Sequence, residues 1–330
     1  MSDIETQEDN PLSTKFTLGQ SIFNFCNVLM GVGILSLPLA LKYTGWIIGL
    51  SLLFFCMATT NYAAKLLVKC LNYKEGIYTY PDIELIAIAI SLVILIGDSL
   101  QILFPDISIV YLKIIAWMIL VPLSLIDIRS LSYFSLLGIL SAIFLTFVVI
   151  INGFTTFEQP GSLFNPMNTE LWPTDLNTLP LSFGLIIAGF SGHSIFPSIY
   201  LNMKTPSKYL KAINISYTIS TVVYLLIAVC GYLMFGNLTK PEITQNIMST
   251  PNQLILLNQF IVWLVAINPF TKVVLTLDPI NLYLEIHYLS KFRKGTYPCY
   301  NFFLFIRFLS RTSVSTVIVF IAIMYPDFDR

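Results

Sequence analysis

Charge is scarce in this sequence. Asp, Glu, Lys and Arg supply only 11% of its residues, against roughly 25% in soluble domains, too few to coat a globule in water. The charges present also cancel, with 18 Lys and Arg against 18 Asp and Glu, so there is no basic footprint for nucleic acid. Histidine is scarcer still. His193 and His287 are the two in the chain, in different segments, and the five cysteines, Cys26, Cys56, Cys70, Cys230 and Cys299, have no paired spacing. A disulfide framework, a metal site and a cofactor are therefore not expected. With no serine elbow and no phosphate loop either, an enzyme is not expected. The first sixteen residues lack a basic n-region, carrying Asp3, Glu5, Glu8 and Asp9 against Lys15. They read as a disordered cytosolic tail (1–16) and not as a cleaved signal peptide.

What the chain has is apolar sequence, 56% of its 330 residues. About nine runs approach the ~20 residues that cross a ~30 Å hydrocarbon core: Leu18 to Leu39, Trp46 to Leu67, Ile83 to Leu103, Ile107 to Ile126, Leu131 to Ile151, Leu179 to Leu201, Ala212 to Phe235, Leu254 to Leu275 and Phe302 to Met324. The expectation is an all-α polytopic membrane protein whose transporter domain fills 17–330. If the runs alternate in direction, eleven basic residues, from Lys15 and Lys65 to Arg293 and Lys294, fall on one side. Lys42, Lys240 and Arg330 fall on the other. That bias places the N-terminus in the cytosol. The segment from Phe154 to Thr178 has no Lys or Arg and belongs on the non-cytosolic side.

Two of the runs contain helix breakers. "NVLMGVGILSLPLA" (Asn27 to Ala40) and "GFSGHSIFP" (Gly189 to Pro197) each place a glycine five residues before a proline, Gly33 before Pro38 and Gly192 before Pro197. Unsatisfied backbone groups cost several kcal/mol in lipid, so a break survives only where protein encloses it or where it lines a cavity. Helix packing alone also uses small residues and proline kinks. Matching breaks in two halves that enter from opposite sides are the signature of an inverted repeat that binds its substrate between discontinuous helices. The halves are about 17–153 and about 179–330.

A broken helix offers free N–H groups and positive charge at its new N-terminus, which suit a carboxylate. At its new C-terminus it offers free carbonyls, which suit an ammonium. A small zwitterion, an α-amino acid, matches both. Asn24, Asn27, Ser36 and Ser191 can add hydrogen bonds, and Phe190 can wall the pocket.

"SIFNFCNVLMGVGILSLPLALKYTGWIIGL" resembles the first span of the amino acid/auxin permease family. The nearest branches are fungal vacuolar amino acid transporters and, more distantly, vesicular inhibitory amino acid transporters. The resemblance continues through "SLVILIGDSL", "GSLFNPMNTELWP", "GHSIFPSIYLNMKTPSKY", "GYLMFGNLTKPEITQNI" and "YPDFD". It implies the inverted-repeat amino acid, polyamine and organocation (LeuT-like) fold, of which about nine of eleven spans are present here. It also implies proton/amino acid antiport of neutral amino acids from cytosol into a vacuolar or lysosome-like membrane compartment. The implied partners are an amino acid, protons and the bilayer, with no nucleic acid and no obligate protein partner. Carried residue by residue, the substrate site falls on Asn27, Gly31, Val32, Gly33 and Ile34, and on Gly189, Phe190, Ser191 and His193. His193 and Lys272, in "NPFTKVVL", are the proton-coupling candidates.

Two departures from the family pattern stand out. About twenty residues are expected before "ELIAIAISLVIL", and relatives continue beyond "YPDFDR". The alternative expectations are therefore an inactive truncated paralogue or gene-model fragment, or an amino acid sensor.

Overall fold

Backbone polar groups in a bilayer must be satisfied within the segment, which leaves helices as the element for such runs. The computed structural model describes residues 15–30, 33–73, 82–125, 128–249, 255–292 and 300–324. Among the described residues there are eleven α-helices: α1 (Leu18–Leu29), α2 (Gly33–Tyr73), α3 (Asp82–Leu103), α4 (Ile109–Ser124), α5 (Ile128–Thr155), α6 (Leu179–Gly189), α7 (Phe196–Leu201), α8 (Tyr209–Phe235), α9 (Ile243–Ser249), α10 (Ile255–Phe292) and α11 (Tyr300–Met324). Thr17 starts α1 with a capping box, its side chain accepting from Gln20 N while Gln20 Oε1 accepts from Thr17 N. Two orphan donors are satisfied there at once.

Among the described residues six helices, α2, α3, α5, α8, α10 and α11, are each long and apolar enough to cross a membrane, where nine runs are expected from sequence. The chain is an all-α polytopic membrane protein, and the difference lies in how runs become helices. The first run is split between α1 and the beginning of α2, and the sixth between α6 and α7. The second run continues α2 beyond a bend at Gly45. At 16 residues, α4 rises only about 24 Å.

Gly45 adopts φ 67° and ψ 178°, a left-handed φ that favours glycine. The amides of Trp46 and Ile47, which begin the second leg of α2, donate to the Glu170 and Leu171 carbonyls of the 156–178 segment. A Cβ on Gly45 would stand 2.7 Å from the Leu171 carbonyl.

A second difference concerns α10. The expected run stops at Leu275 and His287 falls in a loop, whereas the helix continues to Phe292 and the His287 backbone is helical. Hydropathy drops at Asp278, but Leu277, Ile280 and Asn281 remain buried at helical spacing, so the helical face outlasts the apolar run.

The helices pack in two groups. On one side α2 lies against α6 and α8, and α1 against α8; on the other, α3, α4, α10 and α11 pack on one another. Helix α5 touches α1, α8 and α10 and joins the groups. At one end of the bundle, Phe16 pairs with the chain just after α7, its amide donating to Asn202 O and its carbonyl accepting from Lys204 N. At the other end the 156–178 segment is tied to α8, with Gly161 N donating to Met234 O and Met167 N to Leu233 O. Between α10 and α11 lies an ion pair, Asp278 with Arg311 at 3.6 Å. The same guanidinium donates to Ser124 O at the end of α4, so three helices meet on one buried cation.

Candidate binding site between two broken helices

Both breaks fall where glycine and proline foretell them, and they touch. A Cβ on Gly33, the first residue of α2, would lie 2.6 Å from Gly189 Cα and N, the last residue of α6. The approach requires glycine at position 33, whereas a Cβ on Gly189 would face the Tyr224 ring at 3.3 Å. The carbonyl ends of the half-helices converge at the same place. Leu29 ends α1 and Gly189 ends α6, and the Tyr224 hydroxyl of α8 is within hydrogen-bond reach of both carbonyl oxygens. A hydroxyl has one proton, so it serves one carbonyl at a time. The next carbonyl, Met30 O, accepts from Lys272 Nζ of α10. Two helix C-termini and their partial negative charge thus surround a spot that a cation, Lys272, already approaches.

Beside this junction lies a cavity of about 260 Å³. Gly33, Ser36, Ser191 and Gly192 line it from the broken helices, and Ser91 and Lys272 from the facing helices α3 and α10. The cavity therefore sits between the two helix groups. It also meets the first turn of α2, whose amides have no partner within the helix. Apolar lining comes from residues such as Ile88, Leu92, Leu185 and Ile195, and among the described residues no Asp or Glu lines the cavity. A smaller cavity of about 20 Å³ adjoins Lys272 from the other side, lined by Ile34, Ser141, Leu145 and Asn268 among others.

The sequence-expected residues separate into groups. Gly33, Ser36, Ser191 and Lys272 are brought together around the large cavity, and Ile34 lines the small one. Gly189 forms the junction through its backbone. Asn24 and Asn27 are buried in α1 and line neither cavity. Asn27 instead donates to Thr271 Oγ1 of α10 at 3.3 Å. Gly31 and Val32 lie outside the described residues.

Two further residues face elsewhere. Phe190 is fully buried and packs on Tyr217 and Tyr224, with ring centroids 6.0 and 5.1 Å away. His193 sets Nε2 2.9 Å from the Thr60 carbonyl of α2 and its ring against Phe196. Neither lines a cavity.

Sequence reasoning passed over Tyr224, Asn268 and Thr271. Asn268 Nδ2 donates to Gly138 O and Ser141 Oγ of α5, each at 2.7 Å, clasping α10 to α5. The signal for Asn268 and Thr271 was available, since they precede Lys272 by four residues and by one in "NPFTKVVL", and a spacing of four shares a helix face. Tyr224 carries no such mark.

A family model described as transmembrane amino acid transporter protein matches residues 14–84 and 82–330, two stretches that meet where α3 begins. The chain is similar to the amino acid transporter AVT1D of Arabidopsis thaliana, 32% identical over 86% of this chain and 54% of that protein. It is similar to AVT1B of the same plant, 32% identical over 98% of this chain and 62% of that protein. A vesicular GABA transporter of Caenorhabditis elegans is 26% identical over 71% of this chain and 51% of its own length. The chain thus spans between half and two thirds of the length of these relatives.

Proposed function

The chain belongs to the transmembrane amino acid transporter protein family, and from that premise we propose that it carries a small zwitterionic amino acid across a membrane through the cavity between its two broken helices. One observation carries the reading: the carbonyl ends of α1 and α6 meet on Tyr224 directly beside the amide end of α2. Val28 and Ala188, each next to one of those carbonyl ends, line the cavity together with Gly33 at the amide end of α2, so a ligand there lies beside acceptors for an ammonium group and donors for a carboxylate. Among the described residues the lining offers no Asp or Glu to pair a cationic side chain, which favours neutral amino acids.

The finer assignments belong to the same proposal. The two halves, about 17–153 and about 179–330, are related as an inverted repeat. The N-terminus is cytosolic, the membrane is vacuolar or lysosome-like, and a proton is exchanged for the amino acid, with His193 and Lys272 as the coupling candidates. Substrate contacts fall on Gly33, Ser36 and Ser191 and on the backbone from Gly31 to Ile34. Asn24, Asn27, Gly189, Phe190 and His193 hold the breaks in shape from behind.

The test is uptake of a radiolabelled amino acid mixture by vacuolar vesicles carrying this chain, with ATP and with or without a proton ionophore. Uptake above that of empty vesicles, abolished by the ionophore, is the expected result. Ionophore-resistant uptake would retain the amino acid and remove the antiport. Uptake equal to that of empty vesicles would refute the transport reading.

A further inference from the structure

Among the described residues Leu92 and Lys272 line both cavities, and of the two only Lys272 can carry a proton. The small cavity is bounded by Leu95 of α3, Leu145 of α5 and Val265 of α10. Along their helices each of these lies toward the end held by the 156–178 segment. The large cavity is bounded by Ala87 of α3, Ile195 before α7 and Thr276 of α10, which lie toward the opposite end, where Phe16 pairs with Met203. The lysine nitrogen therefore stands between two spaces that extend in opposite directions along the bundle.

At about 20 Å³ the small cavity has room for one water. That water would have polar company, because Asn268 Oδ1 is buried and accepts no hydrogen bond among the described residues. An ammonium has three donors. Met30 O takes one from Lys272, and the cavities are where the other two can turn.

We propose that Lys272 carries the exchanged proton, and that it couples the proton to the amino acid because its ammonium and the ligand's ammonium compete for the same carbonyl end of α1. This rests on the amino acid reading of the large cavity. The amine takes a proton from a hydrated proton in the small cavity, forming one N–H bond and leaving water behind. It later gives that proton to water in the large cavity, breaking the N–H bond. One proton has moved and no electrons are exchanged.

While protonated, Lys272 holds positive charge at Met30 O, next to Leu29 O, and repels an incoming ammonium group. When neutral, it leaves those carbonyls to the amino acid. Mutually exclusive occupancy produces exchange and not co-transport. Among the described residues, the groups around the amine leave it to act alone. Helix α1 presents Met30 O and the neutral Asn27, α3 presents Ser91 and Leu92, α5 presents Ser141, and α10 itself presents Asn268 and Thr276. Of the described titratable or charged side chains on the packed elements, Cys26, Asp98, Lys113, His193, Tyr224, Asp278, Arg307 and Arg311 line neither cavity. Only Tyr224 reaches a neighbouring carbonyl, Leu29 O.

The experiment measures binding of a neutral amino acid to the full purified chain against pH, for wild type and Lys272→Met, with trans-stimulated exchange and pH-driven accumulation in proteoliposomes. Competition with one proton weakens wild-type affinity about tenfold per pH unit on the acid limb. In Lys272→Met that slope disappears, exchange persists and pH-driven accumulation is lost. The same slope in Lys272→Met, or a flat wild type, would overturn the proposal while leaving the amino acid site standing. No binding by wild type at any pH would overturn both. Should Lys272→Met fail to fold, Asn268→Ala provides the second reading. It is expected to keep the binding slope and slow pH-driven accumulation, and unchanged accumulation would count against the small cavity as the proton's route.

Discussion

Placing a single methyl group on Gly33 perturbs the junction of the two broken helices directly. In Gly33→Ala the new Cβ would stand 2.6 Å from Gly189 Cα and N and 3.3 Å from Ala188 C. Carbon contacts settle at about 3.5–4.0 Å, and the opposing atoms are main chain, which has no rotamer to change. The breaks must therefore part by about 1 Å, at an overpacking cost of roughly 1–3 kcal/mol. The carbonyls of Leu29 and Gly189 part with them, since they meet on one hydroxyl. A misplacement of about 1 Å at a binding constellation costs about a hundredfold in rate. The expected outcome is amino acid uptake about a hundredfold lower in Gly33→Ala and no measurable uptake in Gly33→Val. Abundance in the membrane fraction should remain normal for both. Gly184→Ala is the control, because nothing stands within 4 Å of a Cβ there. Wild-type uptake by Gly33→Val, at equal abundance, would refute the placement of the substrate at this junction.

Other perturbations reach the surrounding structure. Tyr224→Phe keeps the ring contact with Phe190 but strips the hydroxyl from two buried carbonyls. It should lower stability by about 1–3 kcal/mol, and an unchanged melting temperature would show that those carbonyls are satisfied otherwise. Arg311→Met leaves the Asp278 carboxylate buried without its cation, which should cost about 3–5 kcal/mol. Arg311→Met with Asp278→Leu should regain most of that loss in thermal unfolding, and no regain would mean the pair does not act as a unit. Gly45→Ala forces a side chain into a left-handed φ and against the Leu171 backbone. Limited proteolysis should then cut within 156–178 faster than in wild type.

Helix breakers inside apolar runs are legible because lipid forbids them without a reason, so Gly33, Pro38, Gly192 and Pro197 marked both breaks from sequence. That Gly33 would touch Gly189 was not legible, since it depends on how α2 and α6 cross. Hydropathy located the apolar span of α10, Leu256–Asp278, but not the continuation of the helix to Phe292. It reads transfer into lipid, and beyond Asp278 the helix continues with Ile280 and Asn281 buried against protein. Gly45 read as the gap between two spans, and its non-helical φ and ψ divide α2 into two legs at that point. Phe190 and His193 were read as pocket residues from their place in the break. An unwound segment turns successive side chains in different directions, and these two turn toward α8 and α2. Tyr224 had no signal at all, since a tyrosine in an apolar helix looks like any aromatic residue until two carbonyl ends are found at its hydroxyl.

The most direct measurement is a cryo-electron microscopy map of the purified chain with a saturating neutral amino acid, compared with one collected without it. The binding scheme predicts new density in the 260 Å³ cavity, with the ammonium at the Leu29, Met30 and Gly189 carbonyls and the carboxylate at the first amides of α2. A bound amino acid resolved elsewhere, with that cavity unchanged, would contradict it.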